Sequence, residues 1–375
     1  MSSEESGEGP GPSTSSGKRR RRPIINVAGP SSGAPLTTPV KKRKTLSVGE
    51  EEIIINRRIH ANINVCGHSP QTALPTPTTA NEARMDYTGL TTRGKGSCLP
   101  SLPHVPGDEG VGEVVEIGKQ VCTVKPGNRV VLTSRLLGTW RYYGIYHERD
   151  VHIISPNIPL PEASMLTAAP CIAYRMIKDY RRIYPGETIL QNAANSPCGQ
   201  CVIQLCKAWG INTFNIVSNR NGYRAMKQYL LNLGATAVYT LEEAEELTSF
   251  NTSLSRPVLA FNCLGGRYED VILKLLERCG VIVYHGFAYD LPLAKQLLRR
   301  DAKFYKFRLS DWDLLSTNVQ RSVMINQIIQ LMVVGKLKAP LYEPVLLRNY
   351  VHALKNTVHC EAFSNVNYVF DFTIP

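Results

Sequence analysis

The sequence predicts an α/β protein: a parallel sheet with helices on both faces, a smaller β-rich region beside it, and a basic tail in front. Three observations carry this. Between residues 186 and 310, short and nearly continuous apolar runs alternate with helical patterns, as strands buried on both faces require. Residues 51–160 instead show strand runs separated by turn residues. Residues 1–50 are rich in Ser, Gly, Pro and charge, and cannot bury enough surface to offset the entropy of ordering.

The tail, residues 1–50, holds nine Lys/Arg against four Glu, a large share of the net charge of +12 on 375 residues. "KRRRR" (Lys18 to Arg22) and "KKRK" (Lys41 to Lys44) are separated by a Pro-containing spacer, which fits the acidic groove of a nuclear import receptor. A solvated charge run or a phosphate-binding arm is the other reading. The opening "MSSEESGEGP" places Glu4, Glu5 and Glu8 before any base, unlike an amphipathic mitochondrial presequence. The expected location is therefore the nucleus, with the cytoplasm as alternative and the mitochondrion disfavoured.

Residues 51–160 are expected to form the β-rich domain, with strands at "VGEVVEIG" and "NRVVLTS" and a turn at "KPG". "HSPQTALPTPTTANEAR" reads as a loop from its Pro and Thr content. Pro161 to Ile183 reads as helical and opens the next domain, residues 161–310. Its strands are "ETILQNA", "NTFNIVS", "PVLAFNCL", "GVIVYHG" and "KFYKFRLS", with helices near 197–209, 222–233 and 268–278. Residues 311–375 contribute a long helix at 316–335, another at "RNYVHALKNTV", and a final strand "NYVFDF" that returns to the β-rich domain.

Ten cysteines lie mostly inside apolar segments, as free thiols of a reducing compartment do. Cys198 and Cys201 have redox-motif spacing at a helix start, where a thiolate is stabilised; two small side chains packed into the core are the other reading. No apolar run of membrane-spanning length occurs, so no membrane partner is expected.

The stretch 186–219 has the order strand, turn, helix, strand of a nucleotide-binding βαβ unit. Its turn, Asn195-Ser196-Pro197-Cys198-Gly199, carries one glycine where a phosphate cradle favours two or three. Together with "LPHVPGDEGVGEVVEIGKQV", "VKPGNRVV", "LGTWRYY", "AAPCIAYRMIKDY", "YPGETILQNAANS", "FNCLGG" and "RLSDW", this stretch resembles the medium-chain dehydrogenase/reductase superfamily. Within it the chain is similar to the mitochondrial trans-2-enoyl-thioester reductases, from about residue 85 to the C-terminus. The resemblance implies a Rossmann-type cofactor domain, a GroES-like catalytic domain, NADPH as cofactor and a homodimer. It implies no zinc either, since the turn is Gly107-Asp108-Glu109 and no cluster of four thiolates exists.

Carried onto this chain, the resemblance places cofactor contacts at Asn195, Ser196, Gly199, Arg220, Gly286, Phe307 and Leu309. The family's proton-donating tyrosine falls on Gly96, and Tyr87 lies nine residues earlier. The asparagine before "PC" is Ala169, a turn glycine is Pro197, and an Arg-Asp-Arg stretch is Ser218-Asn219-Arg220. A Tyr-Gly-Gly-Met turn is His285-Gly286-Phe287-Ala288, the Phe-Trp-Leu triplet is Phe307-Arg308-Leu309, and the C-terminal lysine is Asn367. Scaffold motifs are kept while ligand-facing positions change. The expectation is an impaired reductase with weak or lost NADPH binding, serving as a nuclear interaction module for an unidentified protein partner. The alternatives are an active enoyl-thioester reductase using Tyr87 or Tyr143 as donor, and a quinone-reductase-like activity that needs no dedicated acid.

Overall fold

The computed structural model describes residues 52–56, 61–63, 105, 107–134, 137–247, 254–286, 288, 301–358 and 366–372. The strands are β1 (Glu52–Asn56), β2 (Ala61–Ile63), β3 (Val111–Ile117), β4 (Arg129–Leu132), β5 (Tyr143–His147), β6 (Val151–Ile153), β7 (Thr188–Gln191), β8 (Asn212–Val217), β9 (Ala237–Thr240), β10 (Pro257–Asn262), β11 (Val281–Tyr284), β12 (Lys303–Lys306), β13 (Tyr342–Leu346) and β14 (Asn367–Asp371). The helices are α1 (Leu160–Ala163), α2 (Ala169–Asp179), α3 (Pro197–Ala208), α4 (Tyr223–Leu233), α5 (Leu241–Glu246), α6 (Arg267–Leu275), α7 (Leu309–Leu315), α8 (Asn318–Val333) and α9 (Tyr350–Val358).

The six strands of the central sheet run in the order β9-β8-β7-β10-β11-β12, all parallel. β7, β10 and β11 are buried along their whole length, which is why their sequences are apolar on consecutive rather than alternate positions. One face packs Phe261, Val281 and Val283 against α2, α3 and α8. The other packs Leu190, Ala260, Ile282 and Tyr284 against α5 and α6. The chain starts at the centre of this sheet, winds outward through β8 and β9, then returns to build β10, β11 and β12 on the other side. The expected α/β class with a parallel sheet is what the structure has.

A second, antiparallel sheet has the order β5-β1-β3-β4-β6, over a small core of Val114, Val121, Val124, Val130, Leu132 and Tyr146. Its "KPG" turn is closed by Gly127 N–H to Val114 O at 2.8 Å and by Lys125 N–H to the Asn128 side chain at 2.9 Å. A third sheet, β13-β14-β2, brings the C-terminal strand back to pair with β2 near the start of the described chain.

Two elements differ from the sequence expectation, and a third was not read from it. Residues 161–183 are not one helix. Pro170 has no N–H for the Leu166 carbonyl, so no helix runs through it unbroken: α1 ends at Ala163, and α2 starts afresh at Ala169 with Pro170 in its first turn, where an N–H is not needed. "KFYKFRLS" is a strand only to Lys306, because α7 begins at Leu309. "AVYTLEEAEE" is a half-buried edge strand followed by a helix, joined by a capping box in which Thr240 and Glu243 exchange backbone bonds.

Gly107 sits at φ +92°, and Thr139 and Trp140 close over it so tightly that an added Cβ would overlap both. Thr139 N–H also donates to Gly107 O at 2.9 Å. Both the left-handed backbone and the lack of space require glycine here. Gly107→Ala is therefore expected to cost about 1–3 kcal/mol or more in urea unfolding, whereas Gly127→Ala, at φ +85° with open space around it, costs only the backbone strain.

Candidate functional site

The central sheet changes direction of growth between β7 and β10, and a crevice opens beyond the carboxyl ends of these neighbours. Two buried asparagines organise its floor. Asn192, just after β7, accepts Cys263 N–H at 2.7 Å and donates to Asn262 Oδ1 at 2.8 Å. Asn262, the last residue of β10, also accepts Gly265 N–H at 2.9 Å on that same oxygen, and its carbonyl accepts His285 N–H at 3.0 Å. The loops after β7, β10 and β11 are thus bonded to one another. Gly286 completes the contact at φ +56°, with the Cys263 sulfur 2.7 Å from where a Cβ would stand.

The turn after β7 leads into α3. Ser196 is its N-cap and accepts Gly199 N–H at 3.1 Å, while Pro197 occupies the first helical position. Gly199 is buried against the backbone of Ala194, 2.5 Å from where a Cβ would stand to the Ala194 carbonyl. This glycine lets the helix lie close to the strand that feeds it. Asn195 contributes its carbonyl, which accepts from Gln200 Nε2 at 2.8 Å. Beneath the turn, Gln191 donates to Gly199 O and to Asn215 Oδ1 at 3.0 and 2.8 Å, fixing the ends of β7 and β8.

Arg220 is exposed in the loop after β8, at the rim of the crevice. Across the rim, Ser218 Oγ and Tyr268 of α6 are hydrogen-bonded at 3.1 Å. Gly265 and Gly266 have φ +68° and +57°, and nothing stands within 4 Å of a Cβ placed on Gly266. Asn195, Ser196, Gly199, Arg220 and Gly286 therefore gather along the carboxyl ends of β7, β8 and β11. Phe307 and Leu309 do not join them: both side chains are buried in the core packed by α2 and α8. Gly96, Tyr87 and Phe287 lie outside the described residues. Tyr143 is 53% exposed on β5. Asn367 is buried, donating to Leu341 O.

Cys198 and Cys201 divide by environment. Cys201 is wholly buried, and desolvation raises its thiol far above the ordinary value. Cys201, buried and neutral, is a packing residue, and Cys198 is half-buried against the same core.

For Glu109 and His285 a position in a motif was legible in the sequence but the partners and the burial were not, and the roles of Asn192 and Asn262 were not read at all. Glu109 is 4% exposed, and its carboxylate accepts Ala168 N–H at 2.6 Å and Thr167 Oγ1 at 3.4 Å. An acidic side chain from the β-rich domain thereby sits at the N-terminus of α2, where unsatisfied N–H groups and the helix dipole favour negative charge. His285 is 8% exposed at the end of β11, and burial lowers its pKa to about 4. Its imidazole is neutral at physiological pH. Asn192 and Asn262 were legible only as polar residues ending apolar strands.

The N-terminal half matches the alcohol dehydrogenase GroES-like domain over residues 81–156. The bovine mitochondrial enoyl-[acyl-carrier-protein] reductase is 37% identical over 268 residues, covering 70% of this chain and 72% of the relative. The human protein of the same name is 36% identical with the same coverage. The chain belongs to the enoyl-[acyl-carrier-protein] reductase family, within the medium-chain dehydrogenase/reductase superfamily. The Etr1p complex with NADP and crotonyl-CoA has this fold, with TM-score 0.70, 18% identity, and 88% of this chain and 93% of that one covered. So does the mitochondrial Etr1p/Etr2p heterodimer of Candida tropicalis, with TM-score 0.69, 20% identity and coverages of 88% and 92%.

These relatives correct the expected address. The bovine and human enzymes are mitochondrial, and so is the Arabidopsis thaliana one, which overturns the nuclear location inferred from Lys18 to Arg22 and Lys41 to Lys44. Both runs lie outside the described residues. A short basic cluster is equally at home on any solvated tail, and that is why it misled.

The buried His285 has a consequence for acid stability. Its folded pKa lies below the ordinary value of about 6.5, so its contribution is fully present above that pH and is lost as pH falls toward 4. The shift corresponds to roughly 3 kcal/mol. His285→Gln is expected to flatten thermal stability between pH 6.5 and 4; a variant as acid-sensitive as the parent would exclude this role.

Proposed function

We propose that this protein is an NADPH-dependent reductase of 2-enoyl thioesters and works in mitochondria. The observation that carries the reading is the crevice at the switch point of the sheet, in a chain that is more than a third identical to enoyl-[acyl-carrier-protein] reductases. The residues present fit a dinucleotide. Gly199 allows close approach of α3, and the positive-φ pair Gly265 and Gly266 offers backbone without side chains.

Bound NADPH would supply the hydride for the β-carbon of the enoyl group. The start of α3, at Ser196 and Gly199, would face the pyrophosphate. The Arg220 guanidinium would pair the 2′-phosphate. The neutral imidazole of His285 and the backbone of Gly286 would border the nicotinamide end, where His285 is able to donate one hydrogen bond without bringing in a charge. The lock between Asn192 and Asn262 keeps these loops in register.

A second reading, the same fold with impaired turnover, is favoured by two residues. Residue 96 is glycine, so no side chain there delivers a proton to the α-carbon, and a positioned acid is worth about 10²–10⁴ in rate. Pro197 offers no N–H at the helix start.

Titration with NADPH separates these outcomes. At about 100 times its dissociation constant the cofactor should add roughly 2.7 kcal/mol of stability, and a trans-2-enoyl thioester should then drive its oxidation. Oxidation rejects the impaired reading; stabilisation without oxidation, or no stabilisation at millimolar NADPH, rejects the active one and supports the impaired one. Arg220→Ala is expected to weaken NADPH about 10- to 100-fold, as loss of a charge-assisted bond does, with little effect on NADH. Import of the full chain into isolated mitochondria tests the location.

A further inference from the structure

Behind the crevice floor, on the sheet face covered by α5 and α6, three polar side chains meet in the core. Tyr284 is fully buried at the end of β11, Asn262 is fully buried at the end of β10, and Glu269 of α6 is 7% exposed. Asn262 and Tyr284 stand opposite each other in the β10–β11 register, and burial together with the nearby Glu269 raises the pKa of the Tyr284 phenol while the Asn262 amide opposes the rise. Yet Tyr284 Oη, Glu269 Oε1 and Asn262 Nδ2 have no well-aligned partner among the described residues. Three such atoms enclosed together cost about 1–3 kcal/mol each if left unpaired, so each has only the other two, or an enclosed water, to turn to.

The chemistry of the three groups allows one ordered chain. With Glu269 ionised, its carboxylate only accepts, a phenol both donates and accepts, and a carboxamide nitrogen donates. Asn262 Nδ2–H therefore points to Tyr284 Oη, and Tyr284 O–H points to Glu269. This direction turns Asn262 Oδ1 the other way, toward Asn192 Nδ2 and Gly265 N–H, the two bonds that hold the crevice loops. An Asn262 side chain flipped by 180° would set an amide nitrogen against two donors.

We propose that Glu269 and Tyr284 form a positioning relay that orients the Asn262 carboxamide, and through it the loops after β7 and β10 on which the cofactor rests. The cofactor part of this statement rests on the function proposed above. The relay itself does not.

Glu269 carries a pH signature that a neutral packing residue would lack. Burial raises its pKa, with Asp270 of the same helix adding to the rise, while the hydrogen bond from Tyr284 on β11 opposes it. From α5, Glu245 is engaged with Arg267 and with Lys274 on the exposed side. A carboxyl raised above its unfolded value, about 4.3, destabilises the fold increasingly as pH rises from that value through the folded pKa, and the cost then levels off. Glu269→Gln keeps the acceptor and removes the charge.

The experiment has two arms on the full chain. In the first, thermal midpoints of the wild type and Glu269→Gln are compared without ligand from pH 4 to 8. The variant should match the wild type at pH 4 and gain on it steadily as pH rises. A constant difference across that range overturns the relay. In the second, NADPH affinity is measured at fixed pH for Tyr284→Phe, Glu269→Leu and Glu269→Gln. The first two should weaken binding at least fivefold, and the third should stay within twofold of the wild type. Folded Tyr284→Phe and Glu269→Leu that both bind within twofold of the wild type also overturn the relay, because a merely structural role lowers stability without changing the affinity of the folded fraction. Wild-type protein that does not bind NADPH defeats the cofactor assignment instead, and the relay is then decided by Tyr284→Phe: loss of the hydroxyl should carry the Glu269 pH transition to higher pH, and an unmoved transition overturns the relay.

Discussion

β7 and β10 are paired neighbours, but the loops that leave them diverge beyond their carboxyl ends to make a crevice, and diverging loops leave backbone groups that need partners in the interior. Asn192 and Asn262 supply them. The Asn192 carboxamide spans from one loop to the other, taking Cys263 N–H on its oxygen and giving its nitrogen to Asn262. A hydrophobic pair at these positions would fill the same volume and leave Cys263 N–H and Gly265 N–H unpaired. A single interaction between two neutral side chains thus sets the spacing of the three loops that meet there. Everything placed on those loops inherits its geometry from this pair, including Gly286 against Cys263 and the imidazole of His285.

The same logic recurs at the joint between the domains, with a charge in place of an amide. Glu109 reaches from the β-rich region to Ala168 N–H and holds the start of α2. α2 in turn packs on α3 and α8 within the larger core, so one carboxylate registers the β-rich region against the face of the sheet that leads to the crevice. Gln200 and Gln204 act similarly farther along, tying α3 to Leu341 N–H and to the backbone of Lys338 on the path to β13. The helix that opens at the crevice is latched at intervals to the segment that returns to the β-rich sheets.

What could be read from sequence follows the range of the interactions involved. β7, β10 and β11 were legible because full burial writes itself as consecutive apolar residues. The turn at Ser196 and Gly199 was legible because cap, proline and glycine act within four residues. β9 was missed because an edge strand of four residues with one buried side has little pattern to show. The roles of Glu109 and Asn262 were not legible because their partners lie 59 and 70 residues away. Phe307 and Leu309 show the opposite case: their sequence motif was recognised, but the burial of their side chains in the core is decided by α2 and α8, which the motif does not contain.

Ser196 bears on how far the altered turn weakens the site. Its hydroxyl oxygen already satisfies Gly199 N–H, and Pro197 has no N–H at all, so the start of α3 presents fewer donors to an anion than an uncapped helix would. The loss is bounded. One charge-assisted bond is worth about 1.5–3 kcal/mol, a factor of roughly 10 to 100 in affinity, and the dipole of the twelve-residue helix α3 remains. A crevice whose floor is held by Asn192 and Asn262 is already ordered before ligand arrives, and preordering lowers the entropic cost of binding. The altered turn therefore reduces affinity by an amount that the ordered loops can offset, and changed donors at one helix end are not, by themselves, grounds for reading the chain as inert.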